Sequence, residues 1–400
     1  MIVYRARWIL PIVDAPIEGG WIAVERGRVI ALGQDRDRPT CETVDLHDTA
    51  IMPAAVNAHT HLEFSDLDKP IGYQGIALHD WIGAVVRTRA GTADQDRSPA
   101  MMRGLRQCLS SGTALVGDIA TTPVSPGFFD APESMDAVSF AEVLGLDALR
   151  SDLKHQQAIA HIGAAATNPR VTIGVSPHAP YSTPLPVVQR CVEMARGAKL
   201  PIAMHVAESA EERRLIESGD GPFADRLKQM RVYRDDVFPW GRDATSQLIA
   251  ELALAPQCLL IHGNDLRAEE IALVAKNKQM TIVYCPRTHA YFGHPRHPVA
   301  SMRIAGVRVA LGTDSLASNP DLNLWGEVQW LLGNRQDLPW HDVIEMATLA
   351  GADALGRPDL GRITPGATAR FVVVPTSSGG VAESLLTHLP KVFPTAAATS

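Results

Sequence analysis

Histidine and carboxylate residues recur at the ends of short apolar segments in this 400-residue chain. The segment PAAVNAHTHLEFS, residues 53–65, places His59 and His61 two residues apart. If residues 51–58 form a strand, both side chains point to the same face at its carboxyl end, because side chains alternate along a strand. Two imidazoles on one face can bind one metal ion, although a lone His-x-His pair also occurs in ordinary polar turns.

Ionisable residues close four further apolar segments. His178 lies in SPHAPYS, His205 and Glu208 lie in MHVAES, His262 lies in IHGND, and Asp314 lies in GTDS. One such residue alone is weak evidence for a site. Five apolar segments that each end in an ionisable residue predict a single polar site, provided that the segments are strands of one sheet whose carboxyl ends form a common rim.

Four of these side chains form a set suited to one Zn²⁺ or Fe²⁺ ion. Three imidazoles and one carboxylate supply borderline nitrogen and oxygen ligands and leave a position for water. On such an ion the pKa of water falls toward about 7, which gives hydroxide near neutral pH. The predicted ligands are His59, His61, His205 and Asp314.

The remaining rim residues are candidates for proton transfer. A hydroxide that attacks an amidine-like carbon must lose a proton, whereas the ring nitrogen and the departing amine must each gain one. Glu208, three residues past His205, is predicted to carry these protons, while His262 and Asp314 take the water proton and polarise the hydroxide. The alternatives are that Glu208 interacts with the dipole of the following helix and that His262 is a hydrogen-bonded core histidine.

Eight short apolar segments alternate with helical patterns such as residues 185–196 and 268–276. The segments are almost continuously apolar, which is typical of parallel strands buried on both faces. The pattern predicts a (β/α)₈ TIM barrel, whose active site lies at the carboxyl ends of the strands. The predicted strands are residues 51–57, 113–120, 137–145, 171–176, 201–209, 258–263, 281–286 and 307–315.

Both ends of the chain have strand character instead. Residues 19–33 read as two strands joined at ERGR, and residues 361–378 contain RFVVV between Gly and Pro residues. These segments predict a small β-sandwich domain built from both chain ends. We therefore expect domain limits at residues 1–52, 53–357 and 358–400, with the barrel in the middle.

Composition restricts the class of protein. A net charge of -7 argues against nucleic acid or an anionic membrane as a partner, and 46% hydrophobic residues indicate a large core. No window approaches the roughly 20 apolar residues of a membrane span. Five cysteines without a Cys-x-x-Cys pair suit reduced thiols. We expect a cytoplasmic enzyme that acts on a small molecule.

With these motifs the chain resembles the amidohydrolase superfamily, in its cytosine deaminase and chlorohydrolase-like branch, over nearly its whole length. The resemblance implies the same four metal ligands, assigns the His-x-x-Glu carboxylate to Glu208 and the sixth-strand histidine to His262, and implies that His178 contacts substrate. Binuclear members of the superfamily carry a carboxylated lysine at the fourth strand. This chain has His178 there, so we expect one metal ion. Because members of the family commonly form homodimers, the resemblance also implies a homodimer.

The loops NAHTHLEFS, SPHAPYS and CPRTHAYFGHPRHP are most similar to those of aminodeoxyfutalosine deaminases of a menaquinone route. Adenosine and S-adenosylhomocysteine deaminases typically carry Ser-Asn-x-x-Leu-Gly where this chain has residues 288–291, Thr-His-Ala-Tyr. The resemblance implies release of ammonia from 6-amino-6-deoxyfutalosine. Two alternatives stay open: another amidohydrolase, of the adenosine or S-adenosylhomocysteine, guanine or triazine type, acting on a C–N or C–Cl bond, and a non-catalytic binding paralogue.

Three further residues are predicted to contact substrate. Glu63 is expected to accept hydrogen bonds from ribose hydroxyls, unless it is a surface carboxylate. Arg287 is expected to bind a benzoate carboxylate in a bidentate pair, unless it pairs with another side chain. Trp81 is expected to stack on a base, unless it is a core residue.

The sequence also suggests roles for two segments next to the predicted substrate-binding residues. Residues 66–100 form a long excursion after the first strand, which we interpret as a lid or pocket wall. His289, His294 and His297 crowd the loop after the seventh strand. They are interpreted as an ordered loop network, with a second metal site as the alternative.

Overall fold

The computed structural model describes residues 1–90, 96–121, 135–165, 170–376 and 380–393. The described residues form two separate β-sheets, and the α-helices pack mainly against the strands of the second sheet. The strands of the small domain are β1 (Ile2–Ile9), β2 (Ile17–Glu25), β3 (Arg28–Gln34), β4 (Thr43–Asp45), β5 (Thr49–Pro53), and, from the other end of the chain, β14 (Phe371–Pro375) and β15 (Lys391–Phe393).

The second sheet is the predicted barrel of eight parallel strands, which pair in chain order. A parallel bridge between Thr60 and Asp314 joins the last strand to the first. The strands are β6 (Ala55–Thr60), β7 (Thr113–Ala120), β8 (Asp136–Val143), β9 (Val171–Pro177), β10 (Pro201–Val206), β11 (Gln257–His262), β12 (Met280–Tyr284) and β13 (Arg308–Leu311). The (β/α)₈ prediction is confirmed.

The helices connect and cover the strands, and the helical patterns at residues 185–196 and 268–276 are confirmed as α4 (Leu185–Ala198) and α8 (Ala268–Lys276). Within the described ranges, no helix combines the length and apolar character needed to cross a bilayer. The helices are α1 (Leu78–Arg89), α2 (Ser98–Ser110), α3 (Ala148–Ala165), α4 (Leu185–Ala198), α5 (Ala210–Ser218), α6 (Pro222–Gln229), α7 (Ala244–Leu252), α8 (Ala268–Lys276), α9 (Pro286–Phe292), α10 (Val299–Ile304), α11 (Leu324–Asn334), α12 (Trp340–Ala347), α13 (Leu349–Ala354) and α14 (Val381–Thr387).

The small domain is one mixed sheet to which both chain ends contribute. β14 pairs antiparallel with β5, and β5 pairs parallel with β1. The predicted hairpin is formed by β2 and β3, and its two turn residues, Arg26 and Gly27, both have positive φ. Two left-handed residues give a tight turn whose twist matches that of the strands it joins.

The strand predicted at residues 51–57 is in fact divided between the two sheets. β5 ends at Pro53 in the small domain, whereas β6 begins at Ala55 in the barrel. The Ala54 amide donates to the Arg370 carbonyl and the Ala55 amide donates to the Gly112 carbonyl, so the hydrogen-bond partner changes domain between adjacent residues. An unbroken apolar pattern conceals this change. The domain limits at residues 53 and 357 stay a prediction.

The barrel interior is filled by inward-pointing apolar side chains, which form a floor beneath the polar rim. A Cβ atom at Gly174 would clash with the Phe140 ring, so the glycine makes room for the largest of these side chains. Inward-pointing residues include Val56, Leu115, Phe140, Ala203, Leu259, Val283 and Ala310. The floor is therefore apolar, and the candidate site residues lie above it, at the carboxyl ends of the strands.

Candidate active site at the barrel mouth

Three predicted metal ligands converge at the barrel mouth. His59 and His61 lie at and just past the carboxyl end of β6, and His205 lies near that of β10. One nitrogen of each ring lies within 4.8 Å of the others, and the Nε2 atoms of His61 and His205 are 3.3 Å apart. Among the residues that the structure describes, these three form the group of His, Cys, Asp or Glu side chains close enough to hold one ion.

The predicted fourth ligand, Asp314, faces the same point. Its Oδ1 atom lies 3.6 Å from Nε2 of His59 and 3.7 Å from Nε2 of His61. Its Oδ2 atom accepts a hydrogen bond from the Ser318 hydroxyl at 3.0 Å. The serine thus holds one carboxylate oxygen, and the other is turned toward the imidazoles.

The orphaned nitrogens of His59 show that this donor set fits a divalent metal ion. Both ring nitrogens of His59 are buried and have no hydrogen-bond partner, which is costly, and an ion would satisfy the Nε2 atom, which faces Asp314. Nδ1 of His205 lies 2.8 Å from the carbonyl oxygen of His178, so it carries the proton and leaves the Nε2 lone pair free. Burial lowers the pKa of both His61 and His205 well below the usual value, so these rings are neutral, as ligands must be.

Glu208 and His262 form a pair beside the four predicted ligands. Both side chains are buried, and Glu208 Oε1 lies 3.4 Å from His262 Nε2. Burial, followed by the negative charge of Asp314, raises the pKa of Glu208 well above its usual value, and burial lowers the pKa of His262 to about 3. Burial also acts to raise the pKa of Asp314, but the facing imidazoles lower it overall. Carboxyl pKa values driven apart in this way are typical of acid–base sites.

The helix that follows Glu208 is capped by other residues. The Ser209 hydroxyl is the N-cap of α5 and accepts from the Glu212 amide. The Glu212 carboxylate accepts from the amides of Ala207 and Glu208, at 2.7 and 3.4 Å. These contacts satisfy the amides at the start of α5, and the side chain of Glu208, whose alternative role was to interact with the dipole of this helix, faces His262.

Backbone strain is concentrated at the same rim. Ala207, His262 and Asp314 have φ values of 53°, 72° and 57°, in the left-handed region that non-glycine residues rarely adopt. Each follows or ends a strand that contributes a side chain to the site. Such conformations persist only where the surrounding structure holds them, and they cluster at functional sites.

The other side of the mouth is polar and was only partly predicted. Nδ1 of His178 lies 2.6 Å from the Ser182 hydroxyl, and Nε2 lies 3.9 Å from Oε1 of Glu142. Burial raises the pKa of Glu142 to about 7 and lowers that of His178 to about 4. Glu142 was not among the predicted site residues, although it is an acidic residue near the end of an apolar segment, AVSFAEV, like the others.

Glu63 also lies at this side of the mouth, on a short 3₁₀ turn (Leu62–Phe64) after β6. It is 8% exposed, so the alternative of a surface carboxylate is wrong. Its Oε1 atom accepts from the Thr121 hydroxyl at 2.6 Å and lies 3.6 Å from Nη2 of Arg89. Burial raises the pKa of Glu63 above its usual value. Its contact with a ribose stays a prediction.

Arg287 does not present a free guanidinium to the mouth. Its Nε atom donates to Glu327 at 2.6 Å, and its Nη1 and Nη2 atoms donate to the Asp321 carboxylate at 3.1 and 2.7 Å. Glu327 in turn accepts from Asn319, which also donates to the carbonyl of Thr313, next to Asp314. These contacts support the stated alternative, in which Arg287 pairs with other side chains, and give no support to its predicted role in binding a substrate carboxylate.

Trp81 lies on α1 in the segment interpreted as a lid or wall. Its Nε1 atom donates to the Ala317 carbonyl at 3.1 Å, and its ring packs edge-on against Phe292. The Ile71 amide also donates to the Ala317 carbonyl. The segment is therefore bonded to the loop after the eighth strand and packs against α9, as a pocket wall would be. Stacking of Trp81 on a base stays a prediction, and residues 91–95 lie outside the described residues.

Two of the three histidines after the seventh strand form side-chain hydrogen bonds, and the ring of the third, His294, packs against those of His289 and Phe292. His289 donates from Nε2 to the Pro295 carbonyl, and His297 donates from Nε2 to the His262 carbonyl, both at 2.9 Å. Within the described ranges, these histidines are not part of a group close enough to hold an ion. The interpretation as an ordered loop network is the one supported.

Comparison with known proteins agrees with this geometry. The model of the amidohydrolase family matches residues 50–396. The chain belongs to the amidohydrolase family. The predicted enzyme class, a hydrolase acting on carbon–nitrogen bonds, is confirmed at the level of this family.

Relatives of this amidohydrolase include two kinds of nucleoside deaminase. The 5-methylthioadenosine/S-adenosylhomocysteine deaminase of Halobacterium salinarum is 31% identical over 387 residues, covering 90% of this chain and 81% of the relative. The aminodeoxyfutalosine deaminase of Deinococcus radiodurans is 30% identical over 289 residues, covering 70% of this chain and 66% of the relative. The crystal structure of Helicobacter pylori aminofutalosine deaminase in complex with methylthio-coformycin superposes with a TM-score of 0.83 at 20% identity. The superposition covers 98% of this chain and 97% of the other.

Proposed function

We propose that this amidohydrolase is a metal-dependent deaminase that releases ammonia from an aminopurine nucleoside. The observation that carries the proposal is the buried set of three imidazoles and one carboxylate, with the Glu208–His262 pair beside it. The deaminase relatives support the same reaction class. An intact ligand and proton-transfer set argues against a non-catalytic paralogue.

One divalent ion, Zn²⁺ or alternatively Fe²⁺, suits this donor set. His59, His61, His205 and Asp314 would hold it, and when bound it supplies a water of lowered pKa as the nucleophile. We propose a single ion, because the fourth strand provides His178, whose nitrogens face Ser182 and Glu142, and no lysine.

The residues of the chain would then move the protons. Glu208, protonated because of its raised pKa, donates to the ring nitrogen next to the carbon under attack. It takes a proton from the nucleophile and passes it to the leaving amine, so that ammonia departs. His262 is neutral at physiological pH, and from 3.4 Å it orients the Glu208 carboxyl group. Together with Asp314 it would take the first proton of the water and return it to Glu208, so that every group ends in its starting protonation state.

The polar side of the mouth is proposed to bind the sugar. Carboxylate oxygens accept hydrogen bonds, and ribose hydroxyls donate them. Glu63 and Glu142 are two buried carboxyl groups there, and His178 lies between Glu142 and His205. Trp81 is proposed to border the base from the α1 side.

The specific substrate we propose is 6-amino-6-deoxyfutalosine, which places the enzyme in a menaquinone route. The support is the loop CPRTHAYFGHPRHP and the aminodeoxyfutalosine deaminase relative. A second candidate is 5-methylthioadenosine or S-adenosylhomocysteine, because the deaminase relative of that name matches a longer part of the chain. Both are adenine nucleosides with a 5′ extension.

The test is a substrate panel on protein loaded with one equivalent of Zn²⁺ or Fe²⁺. Aminodeoxyfutalosine, methylthioadenosine, S-adenosylhomocysteine, adenosine, guanine and a chlorotriazine are compared by released ammonia or chloride and by purine absorbance. We expect the largest kcat/KM on aminodeoxyfutalosine. A larger value on methylthioadenosine or S-adenosylhomocysteine would move the assignment to the second candidate, and absence of turnover on all nucleosides would refute the deaminase proposal.

A further inference from the structure

The loop after the seventh strand contacts the candidate proton-transfer pair from behind. His297, just before α10, is 1% exposed and reaches the carboxyl end of β11. Its Nε2 atom lies 2.9 Å from the carbonyl oxygen of His262, so it donates a hydrogen bond there. The contact is to the backbone of His262, whose own ring points toward Glu208 on the other side.

The bonded carbonyl belongs to a strained residue. His262 has a φ of 72°, in the left-handed region that a non-glycine residue keeps only where its surroundings hold it. The next residue, Gly263, donates its amide to the Val206 carbonyl on β10. The turn after β11 is therefore held on one side by the neighbouring strand and on the other by the imidazole of His297.

His297 is itself fixed before it makes this contact. Its ring stacks on Tyr284 with centroids 3.8 Å apart, and its carbonyl accepts from Nη1 of Arg335 at 3.1 Å. Arg335 is held by a bidentate pair with Asp337, at 2.9 Å for both bonds. Burial lowers the pKa of His297 well below its usual value, so the ring is neutral and has one N–H to donate.

We propose that His297 is a positioning residue for the deamination, which acts by holding His262 in its left-handed conformation so that Nε2 of His262 meets Glu208. The inference rests on the proposed function, because it assigns His262 to proton transfer. It gives this member of the histidine-rich loop a role that is neither metal binding nor substrate binding. Loss of the bond would let the His262 ring leave Glu208 while the predicted metal ligands stay in place.

Two substitutions separate the hydrogen bond from packing. His297→Phe keeps an aromatic ring against Tyr284 but removes the donor, whereas His297→Gln places an amide N–H near the position of Nε2. We expect H297F to lower kcat by about 10- to 100-fold, the scale of a misplaced acid–base group, with KM and metal content little changed. H297Q should recover most of the loss.

The matched control is His161→Phe, which removes another buried imidazole hydrogen bond, between α3 and the Ser139 hydroxyl on β8 at 3.0 Å. H161F should lower the melting temperature without lowering kcat. If H297F lowers only the melting temperature, as H161F does, or if H297Q does not recover kcat, the positioning role is refuted.

A structural readout keeps this test independent of the substrate assignment. Crystal structures of metal-loaded wild type and H297F are compared for the φ angle of His262 and for its distance to Glu208. We expect the ring of His262 to turn away in H297F even if the wild type deaminates no nucleoside in the panel. An unchanged His262 in H297F would refute the inference and leave the proposed function intact.

Discussion

The carbonyl oxygen of His178 accepts two hydrogen bonds from His205, one from its amide at 3.0 Å and one from Nδ1 at 2.8 Å. A residue after the fourth strand thus fixes both the backbone and the tautomer of the predicted ligand on the fifth strand. Because the contact uses the backbone of His178, it does not depend on which side chain is present at that position. The side chain is left to face Glu142 and Ser182.

The first prediction concerns metal content. We expect about one Zn²⁺ or Fe²⁺ per chain by elemental analysis, and removal by a chelator should lower the melting temperature because the buried imidazoles of the site lose their partner. His59→Ala should abolish metal binding. His341→Ala, at an exposed histidine, should retain it. Two tightly bound ions in the wild type would contradict the mononuclear site.

The second prediction concerns the proton shuttle. Glu208→Gln keeps the size of the side chain but removes its exchangeable proton, so turnover should fall by about 10² or more while metal content is unchanged. Glu211→Gln, three residues along in α5, is the matched control and should keep normal turnover. Near-normal turnover in E208Q would show that Glu208 is not the shuttle.

The third prediction concerns Arg287. Since its guanidinium neutralises Asp321 and Glu327, Arg287→Met should destabilise the fold by about 3 to 5 kcal/mol by leaving the buried Glu327 unpaired. Urea unfolding measures this loss, and adding Glu327→Gln should restore part of it. Arg287→Met should change kcat/KM by the same factor for substrates with and without a carboxylate. A selective loss on the acid-bearing substrate would restore the role first predicted for Arg287.

The fourth prediction is a pH dependence of stability caused by Glu142. Its pKa is raised from 4.5 to about 7 in the folded protein, so the native state binds the proton more tightly than the unfolded state does. The resulting stabilisation is complete below about pH 4.5 and is lost as the pH rises through about 7. Glu142→Gln, which stays neutral, should therefore be more stable than wild type at pH 8, by at most about 3 kcal/mol.

Urea unfolding at pH 5 and pH 8 measures this difference, and the advantage of E142Q should shrink at the lower pH. Glu193→Gln, at an exposed position on α4, is the control and should show no such difference. An equal effect of E142Q at both pH values would mean that Glu142 is already ionised in the folded protein.

The fifth prediction concerns recognition of the sugar. If Glu63 accepts hydrogen bonds from ribose hydroxyls, wild type should prefer adenosine over its 2′- and 3′-deoxy analogues, and Glu63→Ala should lose that preference. The substitution should lower kcat/KM on adenosine by about tenfold, the scale of one hydrogen bond to a charged group. It should change kcat/KM little on the deoxy analogue that lacks the hydroxyl bound by Glu63. An equal loss on all three nucleosides would assign Glu63 a structural role with Thr121 and Arg89.

The barrel could be predicted because each parallel strand is buried on both faces and is therefore a nearly continuous apolar run. The metal set could be predicted because parallel strands bring their carboxyl ends to one rim, so a residue type at a strand end already indicates where it lies. His59, His205, Asp314 and Glu208 were found in this way. The same rule would have found Glu142, which ends the third strand.

Contacts between distant loops could not be predicted on this basis. The partners of Arg287, Asp321 and Glu327, lie 34 and 40 residues along the chain. Nothing in a single loop sequence shows that Asp321, before α11, and Glu327, on α11, both pair with the arginine. The bond from His297 to the backbone of His262 is equally invisible, because an acceptor carbonyl is present at every residue.

The bridge between Thr60 and Asp314 has a consequence for biosynthesis. The amides of Thr313 and Asp314 both donate to the carbonyl of His59, so the residues that would hold the ion sit on the seam where the first and last strands meet. A ribosome-bound chain that has not yet released β13 has His59, His61 and His205 but lacks both the aspartate and the seam. The site would therefore reach its full metal affinity only when the barrel closes. An ion bound at that point would stabilise the contact between the first and last strands.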